Sequence, residues 1–320
     1  MLKATPQGIE RAVELIRRGE VVAFPTETVY GLGADCFNPK AVATIFEVKE
    51  RPRFDPLIVH VAEREAWREV AQGDEERIKI LTERFWPGPL TLVLPKREAL
   101  PDIVTAGLPS VAVRMPSHPV ALALIRGAMT PIAAPSANLF GRLSPTSAEE
   151  VAEQLGGRIP LILDGGRCPV GVESTIISLL EGRPRLLRPG GLPLEEIEGV
   201  IGPLQGGASS AERPLSPGQL PRHYAPHTPL RLIEGKIPAP RGRRVALLAF
   251  TPPEEDLGYE VVEILSEEGD LKEAAYRLFS ALHRLDRSGV EEIWVEKVPE
   301  VGLGRAIMDR LRRAAEAVRE

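Results

Sequence analysis

Apolar and polar positions follow two periods along this chain, and each change of period marks an element. Ile9, Ala12, Val13 and Ile16 recur at helical spacing and predict a helix over about residues 7–18, opened by Thr5-Pro6 and stopped at Gly19. Val21–Phe24 is a continuous apolar run that reads as a buried strand, and Pro25 ends its pairing. Thr26, Glu27, Thr28, Gly31 and Gly33 then form a polar, glycine-rich turn where backbone can approach a ligand closely. Asn38-Pro39 opens a second helix, with Val42, Ile45 and Phe46 on its inner face. It runs into Lys49-Glu50-Arg51, and Pro52 and Pro56 lead to a strand at Leu57–Val61.

The same reading continues downstream. Residues 63–86 read as helical with a break at Gly73-Asp74, followed by a strand at Leu90–Leu94 and a loop over 97–109. Ser110–Arg114 alternates as a strand, His118-Pro119 starts a helix, and Pro131–Pro135 is a short strand delivering Ser136-Ala137-Asn138. Ser147 and Glu150 form a capping box, and further strands fall at Leu161–Leu163, Ser174–Leu180 and Leu186–Arg188. Short strands bounded by proline, mixed with helices, predict a twisted mixed α/β sheet over residues 1–198. Residues 199–229 are rich in Gly, Pro and Ser without a sustained period and read as a linker. Strand and helix then alternate through Val245–Phe250, Tyr259–Leu265, Leu271–Asp286, Glu292–Val298 and Leu303–Val318. Residues 230–320 are therefore expected to form a smaller α/β domain with a parallel, Rossmann-like sheet. Gly302-Leu303-Gly304 lacks the third glycine of a dinucleotide fingerprint and reads as a helix entry.

Composition narrows the class. The 320 residues are 43% hydrophobic and 27% charged, as in a globular protein. No apolar run approaches the roughly 18 residues that span a bilayer, and no signal core precedes the first helix, so a cytoplasmic protein without membrane association is expected. Cys36 and Cys168 give neither a zinc spacing nor a disulfide framework. A net charge of −5 argues against non-specific nucleic-acid binding by the whole surface.

The chemistry gathers at strand ends. There is no Walker A sequence, no His-Glu-x-x-His metal cluster and no Gly-x-Ser-x-Gly elbow, so no protein-held metal is expected. Instead Thr28, Lys49, Arg51, His60, Ser110, Arg114, Ser136, Asn138, Ser144, Ser174 and Arg188 fall at strand ends and turns, where open α/β sheets bind ligands. Guanidinium forks and hydroxyls in that number suit a small molecule bearing phosphate.

Pro25-Thr26-Glu27-Thr28-Val29-Tyr30-Gly31-Leu32-Gly33, Lys49-Glu50-Arg51-Pro52, Pro56-Leu57-Ile58-Val59-His60 and Ser136-Ala137-Asn138 closely resemble the YrdC-like domain of threonylcarbamoyl-AMP synthases. The resemblance extends over nearly the whole chain, in its long two-domain form. It implies condensation of L-threonine, bicarbonate or CO2, and ATP to threonylcarbamoyl-AMP and pyrophosphate, with Mg²⁺ accompanying ATP. The product serves threonylcarbamoyladenosine formation in tRNA, so tRNA or a downstream threonylcarbamoyltransferase is an expected partner. Carried over by position, Thr28, His60, Arg114, Ala134 (through its backbone) and Ser174 match threonine contacts. Lys49 and Arg51 match the catalytic Lys-x-Arg element facing phosphates. Asp55, Ser110, Ser136, Asn138, Ser144, Arg188 and the linker residue Tyr224 match the ATP side. Asp55 stands where the family often has asparagine, and a carboxylate there is expected to meet ribose or Mg²⁺ rather than phosphate. A double-stranded RNA-binding module is the alternative that the same domain type implies.

Overall fold

The structure, a computed structural model, describes residues 1–206, 214–220, 223–240 and 242–316. Residues 207–213 and Pro221-Arg222 of the expected linker, and the last two residues of the expected C-terminal helix, lie outside the described residues. The first domain holds ten strands: β1 (Leu2–Lys3), β2 (Val22–Phe24), β3 (Gly31–Asp35), β4 (Ile58–His60), β5 (Leu90–Pro95), β6 (Ser110–Arg114), β7 (Ile132–Ala133), β8 (Leu161–Asp164), β9 (Thr175–Ser178) and β10 (Arg185–Arg188). They form one sheet in the order β1-β8-β2-β3-β7-β4-β6-β5-β9-β10. Its pairs are mixed: β2 with β8 and β4 with β6 are parallel, while β2 with β3 and β4 with β7 are antiparallel.

The period of two along β2 divides the core. Val22 and Phe24 face one layer with α1 (Pro6–Arg17) and, later in the chain, the helix Pro119–Ala128, while Val21 and Ala23 face the opposite layer. That layer carries α2 (Pro39–Lys49) and α3 (Glu75–Phe85). The helices start where their caps predict. Thr5 Oγ1 accepts from Gly8 N–H, Asn38 caps α2 ahead of Pro39, and Ser147 with Glu150 closes a full capping box.

Several elements depart from the sequence expectation. Gly31–Asp35 is a strand rather than a turn. Gly33 is needed because a side chain there would meet Phe24 and Ile132 at 2.6 Å. The stretch 63–86 divides into a 3₁₀ turn, Arg64–Glu69, and α3. The expected loop at 97–109 contains α4 (Asp102–Thr105). After α5 (Pro119–Ala128) and α6 (Ala148–Leu155), an unexpected helix α7 (Leu194–Ile201) spans the boundary drawn at 198.

The second domain begins with an unexpected strand, β11 (Leu230–Leu232), and continues with β12 (Val245–Ala249), β13 (Val261–Ile264), α8 (Leu271–Asp286), β14 (Glu292–Val295) and α9 (Gly304–Glu316). Its sheet has the order β11-β14-β12-β13 and all its pairs are parallel, as the alternation of elements predicts. Gly304 opens α9 because any side chain there would run into the Pro299 carbonyl. The two domains share buried apolar surface: Val29, Leu143, Val172 and Tyr224 pack in one cluster with the core of α8 and α9.

Candidate active site

The β4–β6 register sets His60 beside Arg114, and the loop after β2 brings Thr26–Thr28 to the same edge. Thr26, Thr28, Arg51, His60, Arg114, Ala134, Ser136, Glu173, Ser174 and Arg188 line one cavity together with the linker residues Pro217, Gly218, His223 and Tyr224. Eight of the predicted site residues thus meet there: Thr28, Arg51, His60, Arg114, Ala134, Ser136, Ser174 and Arg188, and Tyr224 closes it. Lys49, Asp55, Ser110, Asn138 and Ser144 stand behind its walls.

One half of the cavity is built around Arg114. Its Nη1 donates to Thr28 Oγ1 at 2.9 Å. Its Nη2 pairs with the Glu27 carboxylate at 2.8 Å, and among the described residues its Nε has no hydrogen-bond acceptor. The side chain is almost fully buried, and Arg114 lines the cavity with its charge set against Glu27. Thr28 is itself held by Thr26, whose hydroxyl lies 2.9 Å from Thr28 Oγ1 and donates to the Val29 carbonyl. Burial, then the charge of Arg114, brings the His60 pKa down to about 3, so its ring is neutral at physiological pH. Ala134 N–H is already bonded to the Ile58 carbonyl, which leaves its own carbonyl for a ligand. Ser174 Oγ lies 2.7 Å from Thr91 Oγ1.

The other half is cationic. Arg51 donates to the Asp55 and Pro56 carbonyls and pairs with the Asp55 carboxylate at 2.8 Å. Burial works to raise the Asp55 pKa, against the pull of Arg51, Lys49 and Arg188. Asp55 is held against the arginine and is fully buried. Ser110, at the start of β6, is buried, and its hydroxyl has no hydrogen-bond partner among the described residues.

Lys49, at the end of α2, is buried, and its Nζ donates to the Ser136 and Asn138 carbonyls. Burial and then Arg51 push its pKa well below the ordinary lysine range. In this arrangement Lys49 holds the Ser-Ala-Asn turn and does not face the cavity. Asn138 Nδ2 likewise donates to the Leu139 and Arg142 carbonyls, so its side chain shapes that turn. Ser144 Oγ donates to Glu173 at 2.5 Å. Arg188 donates to the carbonyls of Ser174 and Pro217, tying the sheet to the linker.

The described parts of the linker lie over the cavity. Tyr224 is 1% exposed, with φ of 63°, and its ring lies 4.1 Å from His223 and 5.8 Å from Phe279 of α8. Ala225 N–H bonds the Gly141 carbonyl, and Arg313 of α9 bonds the carbonyls of Gln219 and Leu220. With the described parts of the linker in place, the cavity leaves about 40 Å³ for the centres of water-sized groups. Sequence reasoning missed Glu27 and Glu173, although both adjoin quoted residues, and it missed Arg310 altogether.

Among the described residues no group of three His, Cys, Asp or Glu side chains could hold a metal ion. Asp55 and Glu173, the carboxylates of the cationic half, are each matched to an arginine. The donor set therefore does not fit a resident Mg²⁺.

Comparison with known proteins agrees with this geometry. The Sua5/YciO/YrdC profile, described as telomere recombination, matches residues 14–190, and a profile described as the threonylcarbamoyl-AMP synthase C-terminal domain matches residues 192–316. The threonylcarbamoyl-AMP synthase of Pyrococcus abyssi is 48% identical over 318 residues, covering 96% of this chain and 94% of the relative. The enzyme of the same name from Bacillus subtilis is 47% identical over 320 residues, covering 96% and 92%. The crystal structure of P. abyssi Sua5 complexed with L-threonine superposes with a TM-score of 0.90 at 47% identity, covering 96% of this chain and 94% of that one. The chain belongs to the Sua5/YciO/YrdC family, in the form that also carries the threonylcarbamoyl-AMP synthase C-terminal domain.

Proposed function

We propose that this cavity condenses L-threonine, bicarbonate or CO2, and ATP into threonylcarbamoyl-AMP with release of pyrophosphate. The observation that carries the reading is one cavity with two differently charged halves. In one half Arg114, paired with Glu27, stands beside neutral His60 and the Thr28 hydroxyl. In the other, Arg51 and Arg188 face the same space. The Arg114 fork suits the threonine carboxylate, and the hydroxyls of Thr28 and Ser174 suit its polar groups. Arg51 and Arg188 suit the phosphates of ATP.

The threonine amine takes up CO2 to give an N-carboxylate. One of its oxygens bonds the α-phosphorus, the bond from that phosphorus to the β-bridging oxygen breaks, and pyrophosphate leaves with the electron pair. The substrates supply the nucleophile, so the protein's part is to place the two reactants and to balance charge. Mg²⁺ arrives and leaves with the phosphates rather than residing on the protein. The linker keeps water from the mixed anhydride when it closes over the product. The product's acyl group is destined for an adenosine of tRNA, by a transferase or by direct handover.

The test is pyrophosphate release by the purified full chain. Release is expected only with threonine, bicarbonate and Mg·ATP together. Threonine is expected to exceed serine about tenfold or more, since one methyl in an apolar pocket is worth about 1–3 kcal/mol. Equal release without an amino acid overturns the reading, and salt-sensitive binding of double-stranded RNA without turnover supports the RNA-binding module instead.

A further inference from the structure

The second domain sends one side chain into the wall of the cavity. Arg310, on α9, is fully buried. Its Nε donates to Glu173 Oε2 at 2.8 Å and its Nη1 to the Pro189 carbonyl at 2.9 Å, both in the first domain. Its guanidinium carbon stands 5.1 Å from the centroid of the Tyr224 ring. It also meets its neighbour Asp309, which is shared with Arg313.

Glu173 lines the cavity, and its other carboxylate oxygen accepts the Ser144 hydroxyl. Burial alone would raise its pKa; Arg310, Arg188 and the Ser144 hydroxyl hold it below the ordinary carboxylate range. Without Arg310 the wall would carry an unmatched carboxylate where a polyphosphate must approach. A buried charge stripped of its partner also costs far more than a pair replaced by neutral groups.

We infer that Arg310 is a positioning residue for nucleotide binding: it neutralises and aims Glu173, which in turn aims the Ser144 hydroxyl, and it braces the Tyr224 ring above them. This gives the C-terminal domain a share in the catalytic site that goes beyond holding the linker. The inference rests on the synthase reading above.

The decisive comparison is Arg310→Met against the double variant Glu173→Gln/Arg310→Met in the full chain, with KM for ATP and for threonine measured separately. Arg310→Met is expected to raise KM for ATP about tenfold or more, while KM for threonine changes less than about threefold. The double variant removes both charges and keeps an acceptor for Ser144, so it is expected to regain most of the ATP affinity. An unchanged KM for ATP in folded Arg310→Met overturns the inference, as does a loss that Glu173→Gln does not rescue. If Arg310→Met is too unstable to assay, Arg310→Lys decides. Lysine keeps the charge but lacks the fork that reaches both Glu173 and Pro189, so a rise of about threefold or more is expected and wild-type kinetics overturn the inference. Wild-type protein that releases no threonine-dependent pyrophosphate would refute the synthase reading itself, whereas active wild type with unaffected variants refutes only the role of Arg310.

Discussion

At the scale of single residues, the two arginines most exposed to the cavity's chemistry have different neighbours and are expected to fail differently. Arg114 is fixed by Thr28 and Glu27 at the His60 end of the cavity, so Arg114→Ala should mainly raise KM for threonine. Arg51→Ala should mainly impair ATP use. Each loss is expected at about 1.5–3 kcal/mol, the worth of a charge-assisted hydrogen bond, and steady-state kinetics with each substrate varied in turn would reveal a common defect if the assignment were wrong. His60 leads to a prediction about pH. Its folded pKa of about 3 lies below the ordinary 6.5, so in the window between them the unfolded chain binds the proton and the folded chain does not. Stability is therefore complete above pH 6.5 and falls on acidification, by about 1.4 kcal/mol per unit for such a group. Burial shifts His118, His223 and His283 in the same direction, so their contributions add to this loss. Thermal melts between pH 7.5 and 5 should show a falling midpoint, and a flat profile would mean that these rings are hydrated.

At the scale of elements, the linker is held by contacts a small change can break. Gly218 has φ of 81°, and a side chain there would meet the Tyr224 hydroxyl at 2.5 Å and Arg188 Nη1 at 2.9 Å. Gly218→Ala should therefore keep both domains folded but prevent Tyr224 from seating. Tyr224→Ala should lose the seat itself. Calorimetric titration of ATP with threonine present is expected to show weaker binding in both, with melts near wild type; unchanged affinity would make the linker a mere connection. The elements also show what was legible in the sequence. Helices with a side-chain cap and an apolar stripe, such as α1, α2 and α6, could be read directly, as could strands with a clean run such as β2 and β6. The strand β3 was hidden because Gly31 and Gly33 look like a turn, whereas Gly33 is bare so that Phe24 and Ile132 can approach. Helix α7 was hidden because Pro193 at its start supplies no side-chain cap and Gly199 within it reads as the start of the Gly-rich linker. Of the site, motif residues were legible because their types fit the chemistry. Arg310 was not, because it sits among other arginines of an amphipathic helix and its partner lies 137 residues away. Lys49 and Asn138 could be located from sequence, but only the fold shows that they secure a turn.

At the scale of the molecule, the domains are joined by more than the linker. A side chain at Gly171 would meet backbone of α8 at 2.4 Å, so the two backbone segments touch there without room for one. Arg167 bonds the Tyr276 carbonyl and stacks on its ring, and Arg287 pairs with Glu153. Ending the chain after Gly202 would uncover Val29, Leu143 and Val172 and leave Glu173 without Arg310. The truncated first domain is expected to keep its sheet, to melt below the full chain and to show little synthase turnover; full activity with an unchanged melt would make the second domain dispensable. The small free volume under the closed linker has a kinetic meaning for the whole molecule. Under the proposed function, if the seated Tyr224 bars ATP, the apparent affinity for ATP is the intrinsic one scaled by the fraction of molecules that stand open. A variant that opens more readily would capture nucleotide more easily and hold its anhydride less securely, so the strength of the seat sets a compromise between loading and leakage.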